Sequence, residues 1–87
     1  MFPKPLTSAQ IRAARALLRW SALQLAEKTA VGVTTIRRAE LTASETKLTK
    51  VNDQAIRRTL EEAGVEFIDE NGRGPGVRLR IRQQKSD

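Results

Sequence analysis

Residues 21–40 read SALQLAEKTAVGVTTIRRAE, and the order of residue types in this stretch predicts two short helices joined by a tight turn. Ser21 with Gln24 three positions on is a capping box, and Trp20 and Leu25 stand where a hydrophobic staple closes a helix start. The first helix therefore begins at Ala22. Leu25, Ala26 and Thr29 make a narrow inward face, a break follows at Ala30-Val31-Gly32, and Val31, Ile36 and Ala39 resume the apolar pattern on a second helix reaching Leu41. Ala26 is small where the helices cross, and Ile36 is long enough to reach back between them. The spacing suits helix-turn-helix geometry.

The same signals recur on either side. After a Pro-containing arm, residues 1–5, Thr7 and Gln10 form another capping box and Leu6 and Ile11 another staple, while Ile11, Ala14 and Leu18 share one face of a helix ending near Arg19. Arg12, Arg15 and Arg19 form a basic stripe on that helix, either a solvated face or, for Arg19, a reach toward phosphate. Residues 42–48 lack periodicity and are rich in small hydroxylated side chains, so they form a loop. A fourth helix runs from Thr49 or Lys50 to Ala63, buries Ile56, Leu60 and Ala63, and stops at Gly64. Its Arg57/Glu61 and Arg58/Glu62 pairs, in the weaker Arg-before-Glu order, read as a solvated face.

Past Gly64 the period changes from 3.6 to two. Val65 and Phe67 alternate with Glu66 and Ile68, residues 69–76 are turn-rich, and Val77, Leu79 and Ile81 alternate with Arg78, Arg80 and Arg82. A two-stranded ribbon is marginal alone, so its apolar face needs the helices or an identical ribbon from a second chain. The arginine row either lines a nucleic acid or pairs with Glu66, Asp69 and Glu70. Glycines at 72, 74 and 76 do not have Walker spacing. Residues 83–87 are a polar tail.

Composition narrows the classes. The chain of 87 residues holds 16 Lys and Arg against 10 Asp and Glu, a net charge of +6, and its isoelectric point near 10.8 meets the expectation for a nucleic-acid footprint. Residues 1–48 carry eight of the basic side chains and three of the acidic ones, so most of the excess accompanies the two-helix segment. With no Cys and no His, disulfides, thiolate nucleophiles, imidazole chemistry and soft-metal sites are excluded. No metal, cofactor or enzymatic constellation is expected. No apolar run is long enough to span a membrane and no signal-peptide core begins the chain, which points to a cytoplasmic protein. A chain of this size buries only about 60% of its unfolded surface, so association with a second copy is the expected supplement.

Residues 21–40 resemble the helix-turn-helix of the phage-repressor/Cro-like (XRE) transcription regulators, and the similarity extends through IRAARALLRWS (11–21) and IRRTLEEAGVEF (56–67). The family usually has glycine where this chain has Ala30, a serine-like cap where it has Gly32, and glutamine where it has Ala22. The resemblance implies a mainly α (α+β) fold, a four-helix bundle with a C-terminal β-hairpin or ribbon. Residues 1–64 would be the DNA-binding domain, while the alternation past Gly64 makes 65–82 the expected dimerisation ribbon, built on Val65, Phe67, Val77, Leu79 and Ile81. It implies double-stranded DNA as partner and a homodimeric repressor of an inverted-repeat operator. The candidate contacts are Ser21, Gln24, Val33, Thr34, Thr35, Arg37, Arg38, Thr46 and Lys47. Val33 and Thr34 fall at base-reading positions, and Thr49, Lys50 and Asn52 near phosphate. An antitoxin or adaptor that uses the ribbon to hold a protein partner is the alternative, and an RNA-binding role lacks the aromatic strand motif it would need.

Overall fold

The computed structural model describes residues 4–69 and 72–80. Helix α1 spans Ser8–Leu18, α2 Ala22–Thr29, α3 Val33–Leu41 and α4 Lys50–Glu62, and strands β1, Val65–Ile68, and β2, Gly76–Leu79, complete a small mainly α (α+β) globule. Ile81, Arg82, Glu70 and the tail 83–87 lie outside the described residues, as do residues 1–3 of the arm.

The helix starts follow from local hydrogen bonding. Thr7 Oγ1 accepts the Gln10 N–H at 3.1 Å while Gln10 Oε1 accepts the Thr7 N–H at 3.0 Å, and Ser21 and Gln24 repeat the exchange at 3.0 and 2.8 Å. Thr49 caps α4 through the Asn52 N–H. Each such cap stabilises by about 1 kcal/mol. At the other end, Arg19 (φ 59°) closes α1 and Ala30 (φ 64°) closes α2, both left-handed. Ala30 thus adopts the conformation for which the resembling family uses glycine, at a cost of roughly 1–2 kcal/mol. The Ala30 N–H still reaches Ala26 O at 3.0 Å, and Thr29 Oγ1 accepts the Val31 N–H at 3.0 Å. The turn forms because these bonds and the burial of Val31 outweigh one strained residue.

One core joins all the elements. Leu6, Ile11, Ala14, Leu25, Ala26, Val31, Ile36, Ala39, Ile56, Leu60 and Val65 are buried in it, the larger ones each stabilising by about 1.5–3 kcal/mol. Ala26 and Ile36, expected inward, are both in this core. Two polar side chains tie distant segments to this core. Gln10, already capping α1, donates through Nε2 to Ile68 O and Gly76 O at 3.2 and 3.0 Å, so it grips both strands at one register pair. Asp53 Oδ1 accepts the Leu6 N–H at 3.0 Å. The 42–48 loop is laced to α1 by Ser8, whose N–H reaches Ser44 O and whose hydroxyl reaches Thr42 O, both at 2.8 Å.

The ribbon pairs antiparallel, with Val65 opposite Leu79 and Phe67 opposite Val77. Helices α1 and α4 cover it: Val65 is fully buried and Phe67 and Val77 pack on the same core. Of the described residues expected to hold a second copy, Val65 therefore has no surface to offer, and Leu79, 41% exposed, keeps the most. The helices supply the cover because β1 follows α4 through a single tight turn at Gly64 (φ 113°).

Two arginines depart from the expected solvated faces. Arg57 is pulled inward: its Nη2 donates to Lys4 O at 2.8 Å, its guanidinium lies 5.2 Å from the Phe67 ring centroid, and Glu61 stands at 3.8 Å. Arg15 is bound to Glu40, as described below.

Candidate nucleic-acid interface

Helix α3 begins at Gly32, which contributes no side-chain cap, so its first amide N–H groups remain at an exposed helix start. Around the helix, Ile36 and Ala39 face the core, Thr34, Arg37 and Arg38 are exposed, and Thr35 is half-buried. Val33, expected to project outward, leans partly onto the core, which leaves only part of its surface for contact.

The orientation of α3 is set by a charge pair. Arg15 Nε and Nη2 donate to the two Glu40 carboxylate oxygens at 2.6 and 2.7 Å, and Nη1 donates to Trp20 O at 2.9 Å. Glu40 is buried and Arg15 is 22% exposed. The hydrogen bonds to Glu40 raise the Arg15 pKa above its ordinary value, burial works against this, and the attraction of the carboxylate adds to it. A forked guanidinium on a carboxylate is geometrically specific, so α1, the α1–α2 turn and the C-terminal half of α3 are held in one arrangement. Arg15 is thereby withdrawn from the basic stripe. Sequence inspection missed this pair because its members are 25 residues apart and each alone resembles a surface charge.

Beside the exposed face of α3 lies a cleft of about 420 Å³ lined by Thr35, Arg38, Thr42, Thr46, Lys47 and Asn52, with Ala39, Leu48 and Thr49. It brings together residues from α3, the loop and the start of α4 that the sequence marked separately. Thr46 is buried and its Oγ1 accepts the Leu48 N–H at 3.2 Å, so it shapes the loop from inside. Lys47, left-handed at φ 62°, is exposed, as is Arg38. The cleft's described lining carries two cations, several hydroxyls and an amide without a carboxylate, and the start of α4 adds the partial positive charge of a helix N-terminus. Such a cup is suited to a phosphate. Thr42, absent from the sequence-derived set, follows Arg38 by four positions, a spacing that could have flagged it.

Ser21 and Gln24 sit at the exposed start of α2, engaged in capping through Ser21 Oγ and Gln24 Oε1; their hydroxyl hydrogen and amide nitrogen are the atoms that can donate outward. On the ribbon, Arg78 pairs with Glu66 at 2.7 Å directly across the strands, one of the carboxylate partners expected for it, whereas Arg80 donates to the backbone carbonyl of Glu61 at 3.0 Å, a partner outside that set. A different cleft, about 350 Å³, is lined by Lys4, Gln10, Glu45 and Asp69 among others; its two carboxylates make it a poor place for an anion. No described helix is long and apolar enough to cross a membrane. Neither protein-family models nor curated proteins yield a match to this chain.

Proposed function

We propose that this protein is a sequence-specific DNA-binding transcription regulator of helix-turn-helix type, with α2 and α3 as the motif and α3 entering the major groove. The observation that carries the reading is the continuity of the exposed Thr34, Arg37 and Arg38 face with the carboxylate-free cup of Arg38 and Lys47, on a chain of net charge +6. A helix fits a major groove about 12 Å wide, and a cation-lined cup at its flank would hold the backbone beside it. Arg37 is the side chain best suited to a guanine edge, Thr34 and the exposed part of Val33 to a thymine methyl or base edge, and Arg38 and Lys47 to phosphate.

The reading includes a homodimer on an inverted repeat and repression by occlusion. On such a site the two reading helices would address half-sites about one DNA turn, roughly 34 Å, apart. Leu79 on the ribbon is the candidate for the contact between copies, since Val65 is spent on the chain's own core.

Selection of bound duplexes from a random pool by the full chain tests this directly. The expected result is a palindromic consensus bound about 10³-fold or more tighter than random DNA, with affinity falling on rising salt by about 0.9 log units per log unit for each phosphate held. A flat salt dependence, or equal affinity for all duplexes, would remove the reading.

A further inference from the structure

Resting on the DNA reading above, we propose that Leu41 is a further specificity residue, and that its side chain contacts the 5-methyl group of a thymine in the major groove. Leu41 is 83% exposed, the most open of the large hydrophobic side chains among the described residues. It is the last residue of α3, and its position, seven residues after Thr34, four after Arg37 and three after Arg38, puts it on their face of the helix. No described element covers it.

The neighbours decide which surface does. Arg37 and Arg38 flank Leu41 one turn back and are themselves exposed, so a second copy of this basic chain laid over the leucine would bring like charges together, whereas a nucleic acid brings the opposite charge. In the major groove the apolar feature that distinguishes one base pair from another is the thymine methyl. Seven residues of helix advance about 10.5 Å, roughly three base-pair steps of 3.4 Å, so a helix lying along the groove spreads Thr34, Arg37 and Leu41 over about four consecutive pairs, with Leu41 at the far end. The stripe therefore reads a thymine at the far edge of the half-site and rejects a cytosine there, which presents an amino group and no methyl.

The test uses the duplexes that the wild-type chain itself enriches from a random pool, with each thymine replaced in turn by deoxyuridine, and compares the wild type with Leu41→Ala. One thymine in each half-site is expected at which loss of the methyl weakens the wild type about fourfold, from the usual worth of one buried methyl, and leaves Leu41→Ala unchanged. Selection with Leu41→Ala should tolerate cytosine at that position. Because the side chain is exposed, the variant keeps its thermal midpoint. Equal methyl sensitivity at every thymine in both proteins overturns the assignment while leaving the DNA reading standing. A change in the sedimentation of the DNA-free chain on Leu41→Ala overturns it too, and places the leucine between copies. Failure of the wild type to enrich any duplex removes the DNA reading and this assignment with it.

Discussion

Arg15→Met deletes a guanidinium that makes three hydrogen bonds and keeps most of its aliphatic stem, so it isolates the polar contribution of the α1–α3 clamp. Glu40, 8% exposed, would be left with its two carboxylate oxygens facing no cation. Breaking a fully buried pair costs about 3–5 kcal/mol. Arg15 is 22% exposed and water can partly replace it, so the expected loss is about 2–3 kcal/mol. In a domain of this size each kcal/mol moves the thermal midpoint by about 4–8 °C, giving a fall of roughly 8–24 °C. Arg15→Met/Glu40→Leu removes both charges and should return to within about 1 kcal/mol of the wild type, because the penalty belongs to the stranded carboxylate. Urea unfolding followed by far-UV circular dichroism on the wild type, both single variants and the double variant closes the cycle. A loss below about 0.5 kcal/mol for Arg15→Met, or a double variant costing the sum of the singles, would refute the reasoning. The pH dependence has a definite sign. A cation whose folded pKa is raised stabilises fully below its unfolded pKa and loses that stabilisation only as pH rises through the folded one. With Arg15 raised from an already high arginine value, its contribution should stay level from pH 7 to about 10. A clamp that faded across that interval would contradict the assignment.

Ala30→Gly relieves the left-handed strain at φ 64° and adds some freedom to the unfolded chain, for a net gain of about 0.5–1 kcal/mol in urea unfolding; a loss would mean the alanine methyl is worth more than its strain. Gln10→Ala removes the side-chain acceptor of the Thr7 N–H, one half of the capping box, and the donor to two strand carbonyls, so it should cost about 2–3 kcal/mol and accelerate amide exchange in β1 and β2; unaltered exchange there would show that the strands hold without it. Truncation after Gly64 exposes the core that Val65 and Phe67 close, so the product should unfold at lower urea rather than persist as a stable monomer, with circular dichroism as the check. For the proposed interface, Arg37→Ala should cost about 1–3 kcal/mol on an enriched duplex and relax one base position, whereas Arg38→Ala should weaken all duplexes alike and lower the salt slope by about one; unchanged base preference in Arg37→Ala would take that residue out of the reading set.

The helix starts were legible at Thr7 and Ser21 because a cap is an exchange between residues three apart, and chain connectivity alone brings those atoms together. The stop at Gly64 and the two alternating strands were legible for the same reason: backbone freedom at one residue and side-chain alternation along an extended chain are local. So were Ile36 facing inward and Arg37 and Arg38 facing outward, since helical periodicity assigns faces before anything packs. The cup was half legible, as hydroxyls and lysines on either side of a loop, but its closure depended on where α4 begins relative to α3.

Tertiary structure alone decided the partners. Arg15 and Glu40 are both charges on helix faces, and only the angle at which α1 crosses α3 turns them into a clamp. Gln10 was visible as a cap, yet its hold on Ile68 and Gly76, 58 and 66 residues away, exists because the ribbon folds back over α1. That same return buries Val65 and draws Arg57 onto Phe67, exchanging an expected contact between copies for one within the chain. A sequence pattern states which side of an element is apolar, because that follows from periodicity. Which surface covers that side follows from closing loops of dozens of residues around a shared core, and that is settled by the packing of the whole chain.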